Sequence, residues 1–236
     1  MGMLYAGTSG WTYATWKPDF YPAKLAAAKF LSHYSTRLNT VEVNYTFRAF
    51  PTEKLLTKWV AESPDGFQFA VKANQRITHI KRLRDAKEIT SDFLNALRPL
   101  VDAKKLGPVL FQLPPYVQFD KALLLNFLAG LSSNFPVAFE FRHPSWFVDE
   151  AFKLLRQANA ALCEAESEKL ETPQLETANF AYLRLRKETY SSAELSKLQK
   201  RLAGLVEKGD VYVYFKHEET PEGALNAERL LKSFKP

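Results

Sequence analysis

Eight short apolar segments with strand-like patterning alternate with helical segments along the 236 residues of the chain. Strict alternation of this kind favours parallel strands joined by helical crossovers. Eight units are the number that closes a barrel, and the sequence lacks the glycine-rich phosphate turn expected of an open doubly wound sheet. The sequence therefore predicts an α/β protein that folds as one (β/α)8 barrel of the TIM type. A single domain over residues 1–236 is expected, because such barrels commonly reach this length.

The first four strands are apolar runs bounded by turn residues. We expect them at Leu4–Gly7, Thr40–Asn44, Phe67–Lys72 and Val109–Leu113. Apolar residues recur at helical spacing over 25–38, which predicts the first helix. Thr52 is the expected N-cap of a second helix that reaches about Glu62, and a third helix is expected from about Thr90 to Lys104.

The last four strands follow the same pattern. We expect the fifth strand to begin at Val137, and the sixth to eighth strands to cover Ala160–Glu164, Phe180–Arg186 and Val211–Lys216. The helices of this half are expected from a cap at Asp120 to about Leu131, from a cap at Ser145 to Gln157, from a cap at Ser191 or Ser192 to Glu207, and from about Gly223 to Phe234. The helical signal is weakest after the sixth strand, because Glu-rich sequence and Pro173 favour no helix there.

Positive charge is concentrated in one segment of the chain. The formal net charge is +6, and the segment 72–87 holds six Lys or Arg and one Asp. Such a run is typical of a solvated loop, but it would also attract an anionic partner. No apolar run of about 18 residues occurs, so the sequence excludes a helical membrane span. The single Cys163 suits the reducing cytoplasm, where we expect the protein.

The stretch from Val137 to Trp146 is an apolar strand that ends in polar and charged groups. Successive side chains of a strand face opposite sides, so Glu140 and Arg142 share one face while Val137 and Phe139 share the other. In a barrel, axis-facing side chains at the carboxyl ends of the strands build the site. We therefore expect a carboxylate and a guanidinium at the mouth of the barrel.

The same alternation places polar groups at the ends of most strands. The predicted axis-facing groups are Glu42, Asn44, Lys72, Gln112, Glu140, Arg142, Glu164, Arg184, Arg186 and Lys216. The bases outnumber the acids in this set, which favours an anionic ligand. Aromatic residues are expected on loops at the same end, at Trp11, Tyr45 and Trp146, as in many ligand pockets.

Several chemistries fit these groups. The charges could pair among themselves and fill the top of the barrel without a functional role. A metal site could use His79, His143 or His217 with a glutamate, although no pair has a recognised metal-binding spacing. A glycosidase would need two carboxylates, which Glu42 and Glu140 could supply.

The chemistry that uses the surplus of bases is an oxyanion clamp that needs no metal. Lys72, Arg142 and Arg184 would donate to the anion, and Glu140 or His79 would carry the proton. Nucleic acid is a further potential partner of the basic segment. That segment is interleaved with Ile77, Ile80 and Leu83 rather than with the aromatic residues on which bases stack, which favours only weak phosphate contacts.

Several motifs resemble, in the same order, those of the YecE-like family, which carries the domain of unknown function 72. The motifs are GTSGWTY at Gly7–Tyr13, VEVNYTF at Val41–Phe47, FAVK at Phe69–Lys72, GPVLFQLPP at Gly107–Pro115, EFRHPSW at Glu140–Trp146 and GALNA at Gly223–Ala227. The resemblance implies a TIM-type barrel and leaves the reaction unassigned. It also implies a shared site formed by Glu42, Asn44, Lys72, His79, Gln112, Glu140, Arg142, His143, Trp146, Arg184 and Asn226.

Two positions depart from the pattern of this family. Many members have a His-Gly pair where this chain has Arg186-Lys187, and an Asn-Asn pair where it has Lys216-His217. These changes put a shared ligand in doubt on that side of the barrel mouth.

The leading hypothesis is a cytoplasmic enzyme, of hydrolase or phosphoester-acting type, for a small anionic substrate that carries phosphate. We assign catalytic roles to Glu140, His79 and Lys72, and expect no metal and no cofactor. Substrate binding is assigned to Thr8, Trp11, Glu42, Asn44, Tyr45, Gln112, Arg142, His143, Trp146, Arg184 and Asn226. The alternative is a non-catalytic binding protein for nucleic acid or another polyanion; the oligomeric state stays open.

Overall fold

Eight parallel strands form a barrel in the computed structural model, which describes residues 2–131, 135–167, 170–216 and 219–234. The strands are β1 Leu4–Thr8, β2 Thr40–Val43, β3 Gln68–Lys72, β4 Leu106–Gln112, β5 Val137–Glu140, β6 Ala161–Ala165, β7 Phe180–Leu185 and β8 Asp210–Phe215. Consecutive strands pair in parallel from β2 to β8, and β8 pairs with β1. The predicted fold class is confirmed.

The barrel closes between β1 and β2 through side chains rather than a full ladder. The hydroxyl of Tyr34 accepts from the backbone nitrogen of Thr8 at 2.9 Å and donates to the carbonyl of Thr40 at 2.9 Å. Asn39 bonds the backbone of β1 twice, and Ser9 and Glu42 form an isolated parallel bridge. A tyrosine hydroxyl therefore replaces strand-to-strand hydrogen bonds at this seam.

Eight α-helices lie among the described residues. They are α1 Phe30–Arg37, α2 Glu53–Glu62, α3 Lys87–Ala96, α4 Arg98–Asp102, α5 Lys121–Ala129, α6 Asp149–Gln157, α7 Ser192–Val206 and α8 Glu222–Ser233. The caps predicted at Thr52, Asp120 and Ser191 are confirmed, since each side chain accepts from a first-turn backbone nitrogen. In these described ranges no helix is long and apolar enough to cross a bilayer.

Three predicted helices differ from the structure. The first, expected over 25–38, is shorter, because α1 begins at Phe30 after a 3-10 turn at Ala27–Lys29. The helix expected from Thr90 to Lys104 begins earlier and is divided into α3 and α4, with Pro99 in the first turn of α4, where its missing N–H costs nothing. Ser145 does not cap α6, because it lies in a 3-10 turn at Pro144–Trp146 and its hydroxyl accepts from the Phe119 nitrogen at 2.8 Å. As expected from Pro173 and its Glu-rich surroundings, the part of 166–179 that the structure describes contains no helix.

Small residues and tyrosines fill the inside of the barrel. The buried inner cluster consists of Ala70, Leu110, Ala138, Ala161, Cys163, Phe180, Tyr182, Tyr212 and Tyr214. A second, larger cluster packs the helices against the outside of the strands. Cys163 is fully buried within the inner cluster, so it behaves as a small apolar residue. The inner cluster also fixes which face of each strand points toward the axis.

Candidate functional site

Arg184 lies between two carboxylates at the mouth of the barrel. Its Nη2 donates to Oε1 of Glu42 at 2.8 Å, and its Nη1 donates to Oε2 of Glu140. All three side chains are at most 2% exposed. Strand alternation predicted all three on the axis, and the structure brings them together as a buried ion triad. Each terminal nitrogen of Arg184 thus uses one N–H on a carboxylate, and burial leaves the guanidinium little surface for a ligand.

Glu42 has further hydrogen-bond donors around it. Tyr182 donates to Oε2 at 2.7 Å, Ser9 donates to Oε1 at 2.8 Å, and the Asn44 amide reaches Oε1 at 3.5 Å. Burial alone would raise the pKa of Glu42, but the charge of Arg184 and these hydrogen bonds outweigh it and lower the pKa below its ordinary value. Glu42 is therefore an ionised structural anion.

Glu140 is the counter-ion of three arginines. Besides Arg184, the Nε of Arg142 and the Nη2 of Arg186 each donate to its Oε1 at 2.9 Å. Burial opposes ionisation, yet these three charges hold the pKa of Glu140 far below its ordinary value. Because these charges stabilise the carboxylate, they disfavour the acid or base role predicted for Glu140, and that role stays a prediction.

Lys72 ends β3 with its ammonium group close to an aromatic ring. The Nζ lies 4.2 Å from the centroid of Phe47, and it makes no hydrogen bond or ion pair with any described residue. Burial and the nearby charge of Arg184 lower the pKa of Lys72 to about 8, against the opposing attraction of Glu42 and Glu140. The pKa of Lys72 is therefore closer to neutral pH than that of an ordinary lysine.

His79 contacts the other side of the same neighbourhood. It lies in a π-helical turn at Arg76–Ile80, its ring meets Phe47 edge to face at 4.9 Å, and its Nδ1 is 2.9 Å from the hydroxyl of Thr78. Burial lowers the pKa of His79, and the charges of Lys72 and Arg142 lower it further. The imidazole is thus neutral at pH 7, and Nε2 is the nitrogen left for a ligand.

Two donors at the mouth have unused hydrogen-bonding capacity. Arg142 bonds Glu140 only through Nε, its side chain is 36% exposed, and its terminal nitrogens bond no described residue. Gln112 pairs in register with Glu140 and is 3% exposed, yet its Nε2 has no partner among the described residues. Buried amide donors are normally satisfied, so this nitrogen indicates a ligand or water acceptor. We call Lys72, His79, Gln112 and Arg142 the basin.

The charge around the basin is positive. Lys72, Arg142, Arg184 and Arg186 influence one another and face the two carboxylates Glu42 and Glu140. Glu164, which we expected on the axis, faces outward instead and pairs with Arg201 of α7. Its inward neighbours on β6 are Ala161 and Cys163. Four cations therefore face two carboxylates at the mouth, and this surplus of positive charge favours an anion.

Two tryptophans predicted to bind substrate are parts of the core. Trp146 is fully buried, stacks on Phe141 at 4.2 Å and donates its indole N–H to the carbonyl of Val117 at 2.7 Å. Trp11 is 9% exposed and packs edge to face on Trp59 of α2 at 5.2 Å. Packing against neighbouring aromatic residues leaves little of either surface to a ligand, which disfavours the ligand contacts predicted for Trp11 and Trp146.

Other predicted binding residues lie outside the basin. The hydroxyl of Thr8 contacts Gly10 and Tyr34 on the helix side of β1, so its neighbour Ser9, not Thr8, reaches the triad. Asn226 is buried in α8, where it accepts from Arg229 at 3.0 Å. The Nδ1 of His143 accepts from the backbone nitrogen of Ser145 at 3.2 Å and so caps the turn that follows β5.

Tyr45 is 52% exposed on the turn after β2, at the rim of the mouth. Sequence reasoning missed Phe47, Ser9 and Tyr182 as site residues. Strand alternation could have found Ser9, which shares a face with Gly7 and Tyr5, and Tyr182, which shares one with Arg184. No sequence signal pointed to Phe47, because its position comes from the turn geometry after β2.

Metal ligands do not cluster in the part of the chain that the structure describes: it contains no group of three or more His, Cys, Asp or Glu that could hold an ion. The two glutamates of the predicted metal and glycosidase alternatives share Arg184 as their counter-ion. His217, the third histidine considered and half of the Lys216-His217 departure, lies outside the described residues.

Similarity to known proteins extends over most of the chain. The family model described as "Protein of unknown function DUF72" matches residues 5–236. The UPF0759 protein YunF of Bacillus subtilis is 37% identical over 151 residues, which are 61% of this chain and 52% of YunF. The chain spans about half the length of the curated relatives that it matches.

Solved structures share the barrel. A DUF72 family protein from Thermotoga maritima superimposes with a TM-score of 0.86 at 27% identity, covering 99% of this chain and 100% of that chain. An AP endonuclease of family 2 from Brucella melitensis superimposes with a TM-score of 0.57 at 10% identity over the whole of both chains. The second likeness concerns the fold alone.

Proposed function

We propose that this chain, which belongs to the DUF72 family, is an enzyme that binds an anionic, phosphate-bearing substrate in the basin. The observation that carries the proposal is a set of neighbouring donors for which the described residues provide no acceptor. Arg142 offers two guanidinium nitrogens, Gln112 offers a buried amide N–H, and Lys72 offers an ammonium group. Arginine is well suited to bidentate contacts with phosphate oxygens.

The triad supports this assignment by fixing Arg142. The Nε of Arg142 is held on Glu140, whose other oxygen is held by Arg184. An arginine oriented in this way loses less side-chain freedom when it binds an anion. Arg184 and Glu42 therefore act as positioning residues, rather than as the anion donor and substrate contact that the sequence suggested.

His79 is the proton carrier in this proposal. Its imidazole is neutral at pH 7 because burial and two neighbouring cations lower its pKa. A neutral imidazole accepts a proton, and the resulting cation would be favoured by the charge of a bound oxyanion. Thr78 holds Nδ1, so Nε2 is the reactive nitrogen.

Calorimetric titration with inorganic phosphate tests the binding step. We expect saturable binding that Arg142→Ala weakens by at least about tenfold, the effect of losing one charged hydrogen bond of about 1.5–3 kcal/mol. Gln112→Ala should weaken binding less, because its amide is uncharged. Arg82→Ala is the matched control, since it removes the same charge from a neighbouring loop outside the basin.

Equal loss of affinity in Arg142→Ala and Arg82→Ala would contradict the proposal, because the anion would then respond only to net charge. For the catalytic step, a panel of phosphorylated metabolites should be screened by thermal shift. Compounds that stabilise the wild type but not Arg142→Ala would then be followed for turnover by NMR. The enzyme hypothesis requires at least one of them to be converted, at a rate that His79→Gln lowers.

A second candidate function is the binding of single-stranded nucleic acid at the rim of the mouth. The structure brings an aromatic ring to the basic segment, since the guanidinium of Arg82 lies 5.1 Å from the ring centroid of Tyr116. Ile80 and Tyr116 are 67% and 59% exposed, so both are accessible for stacking or apolar contact. Exposed rings beside arginines are the surface on which bases stack without sequence preference.

The two candidates differ in their dependence on salt. Oligonucleotide binding at the rim should weaken steeply with salt concentration and should be reduced by a combined Arg82→Ala, Tyr116→Ala variant. Fluorescence anisotropy with a labelled single strand measures both effects. Binding that Arg142→Ala abolishes, while the rim variant keeps it, would assign the strand to the basin and reject the rim.

A further inference from the structure

The amine of Lys72 combines three features that are rare for a lysine. It is half-buried at the end of an inner strand, it lies against the ring of Phe47 at 4.2 Å, and no acceptor among the described residues holds it. Most lysines of this chain with a described ion pair, such as Lys58 and Lys208, are instead well exposed on the surface. Lys72 thus has reduced contact with solvent and no ion pair among the described residues, and both disfavour its protonated form.

The groups around Lys72 have opposing effects on its charge, and those that disfavour the ammonium form prevail. Burial and the charges of Arg184 and Arg142 disfavour the ammonium form, while Glu42 and Glu140 favour it and are themselves paired with arginines. With a pKa of about 8, about a tenth of the amine is unprotonated at pH 7. Enzymes activate lysine as a nucleophile toward carbonyl carbon in this way, by desolvation or a nearby cation.

We propose that Lys72 forms an imine with the carbonyl group of a small substrate whose oxyanion, a phosphate or a carboxylate, is bound by Arg142. The inference rests on the function proposed above and narrows the substrate to carbonyl compounds that carry an anion, such as 2-oxo acids and phosphorylated aldehydes or ketones. Lys72 lies on β3 and Arg142 follows β5, with Gln112 at the end of the intervening strand β4. The oxyanion and the carbonyl carbon are thus recognised from different strands.

The covalent step needs no oxidant or reductant. The lone pair of the unprotonated amine attacks the carbonyl carbon, and the C=O π pair moves to oxygen, which takes a proton to give a carbinolamine. The nitrogen gives up one of its two protons in forming this carbinolamine. The hydroxyl then takes a proton and leaves as water, the C=N bond forms, and the nitrogen gives up its second proton. His79 is placed beside the same Phe47 ring and carries these protons as a neutral imidazole. Amine and carbonyl thus give imine and water.

Pyridoxal 5′-phosphate is a suitable probe, because it carries an aldehyde and a phosphate on one small molecule. The full chain would be incubated with limiting probe at pH 7, reduced with sodium borohydride and digested. Mass spectrometry would then give the labelled fraction of each lysine. We expect Lys72 to be labelled at least about tenfold faster than the exposed Lys58 and Lys208, because burial lowers the pKa of Lys72 and Arg142 holds the phosphate of the probe beside it. Inorganic phosphate should protect Lys72 alone.

Variants and a second probe separate this inference from the function on which it rests. Lys72→Arg keeps the positive charge, so it should still bind phosphate in the calorimeter while the fast labelling is lost. Pyridoxal lacks the phosphate and should label Lys72 more slowly, and Arg142→Ala should remove the difference between the two probes. Circular dichroism and thermal unfolding of each variant would show that it is folded.

Two results would overturn the inference. If Lys72 is labelled no faster than Lys58 while phosphate binding depends on Arg142 as expected, the imine is rejected and the anion-binding function stands. If Lys72 is labelled quickly but equally by both probes, and phosphate neither binds nor protects, the oxyanion requirement fails together with the proposed function.

Discussion

The ammonium nitrogen of Lys72 lies 4.2 Å from the centroid of the Phe47 ring. The same ring holds the imidazole of His79 edge to face at 4.9 Å. One aromatic residue of the turn after β2 therefore contacts both Lys72 and His79, two groups whose pKa values are lowered. The Phe47 ring also shields Lys72 from water. Burial is the largest cause of the lowered pKa of Lys72.

Lys72→Met should make the protein more stable at pH 7, by about 1–3 kcal/mol, because it removes a poorly solvated charge. The folded-state pKa of Lys72, about 8, lies below its unfolded value of about 10.5. The unfolded chain therefore binds more protons between these values, and wild-type stability rises with pH through that window. The advantage of Lys72→Met should accordingly shrink from pH 8 to pH 10.5.

Urea unfolding of both proteins at several pH values measures this difference. Lys58→Met is the control, since that amine is exposed and should give no comparable gain. A Lys72→Met variant less stable than wild type at pH 7 would mean that the ammonium group stabilises the fold, contrary to our account.

Glu140→Gln should destabilise the protein by about 3–5 kcal/mol at pH 7, because Arg142, Arg184 and Arg186 would lose their shared counter-ion. The pKa of Glu140 is lower in the folded than in the unfolded state. Its contribution is therefore present above the unfolded value of about 4.5 and is lost as the pH falls toward the folded value. The wild type should approach the stability of the variant in acid.

Chemical denaturation at pH 7 and below pH 4 tests this expectation. Glu150→Gln, which removes an exposed partner of Lys121, should change stability little and serves as control. Equal effects of the two substitutions at pH 7 would contradict a structural role of the buried triad.

Trp146→Phe should lower the free energy of unfolding by about 1–3 kcal/mol and leave phosphate affinity unchanged. The substitution leaves the buried carbonyl of Val117 without its donor, at 2.7 Å in the wild type, and weakens the stacking on Phe141. Thermal or urea unfolding and calorimetry give the two quantities. Loss of phosphate affinity at unchanged stability would restore Trp146 as a ligand contact.

Tyr34→Phe should destabilise the seam between β1 and β2 by about 1–3 kcal/mol, because the buried N–H of Thr8 and carbonyl of Thr40 lose their shared partner. Amide hydrogen exchange should show faster exchange at Thr8. Tyr116→Phe is the matched control, since its side chain is exposed and should contribute almost nothing. Similar effects of both substitutions would refute the hydroxyl bridge.

The alternation of residues along strands is a local property, and it located much of the charged mouth. It placed Glu42, Glu140 and Arg184 on the axis because each strand has apolar residues on the opposite face. It failed at Glu164, because β6 has small or apolar residues on both faces and the alternation does not distinguish inside from outside. A single short strand therefore fixes its orientation only through tertiary packing.

The burial of the loop residues could not be predicted in the same way. Trp146 adjoins polar residues in the chain, and its packing on Phe141 depends on how the turn after β5 folds back. The choice of partners by Arg184, which joins β2 to β5 across the barrel, depends on the stagger of the strands. Such contacts between distant strands leave no periodic signal in the sequence.

The most direct test of the oxyanion basin is a crystal structure of the protein grown or soaked with inorganic phosphate at a concentration that saturates binding in solution. Our account predicts a tetrahedral ion within hydrogen-bond distance of the terminal nitrogens of Arg142 and the ammonium group of Lys72, with Gln112 Nε2 nearby. An empty basin, with phosphate bound at Arg82 or Arg84 on the rim instead, would contradict it.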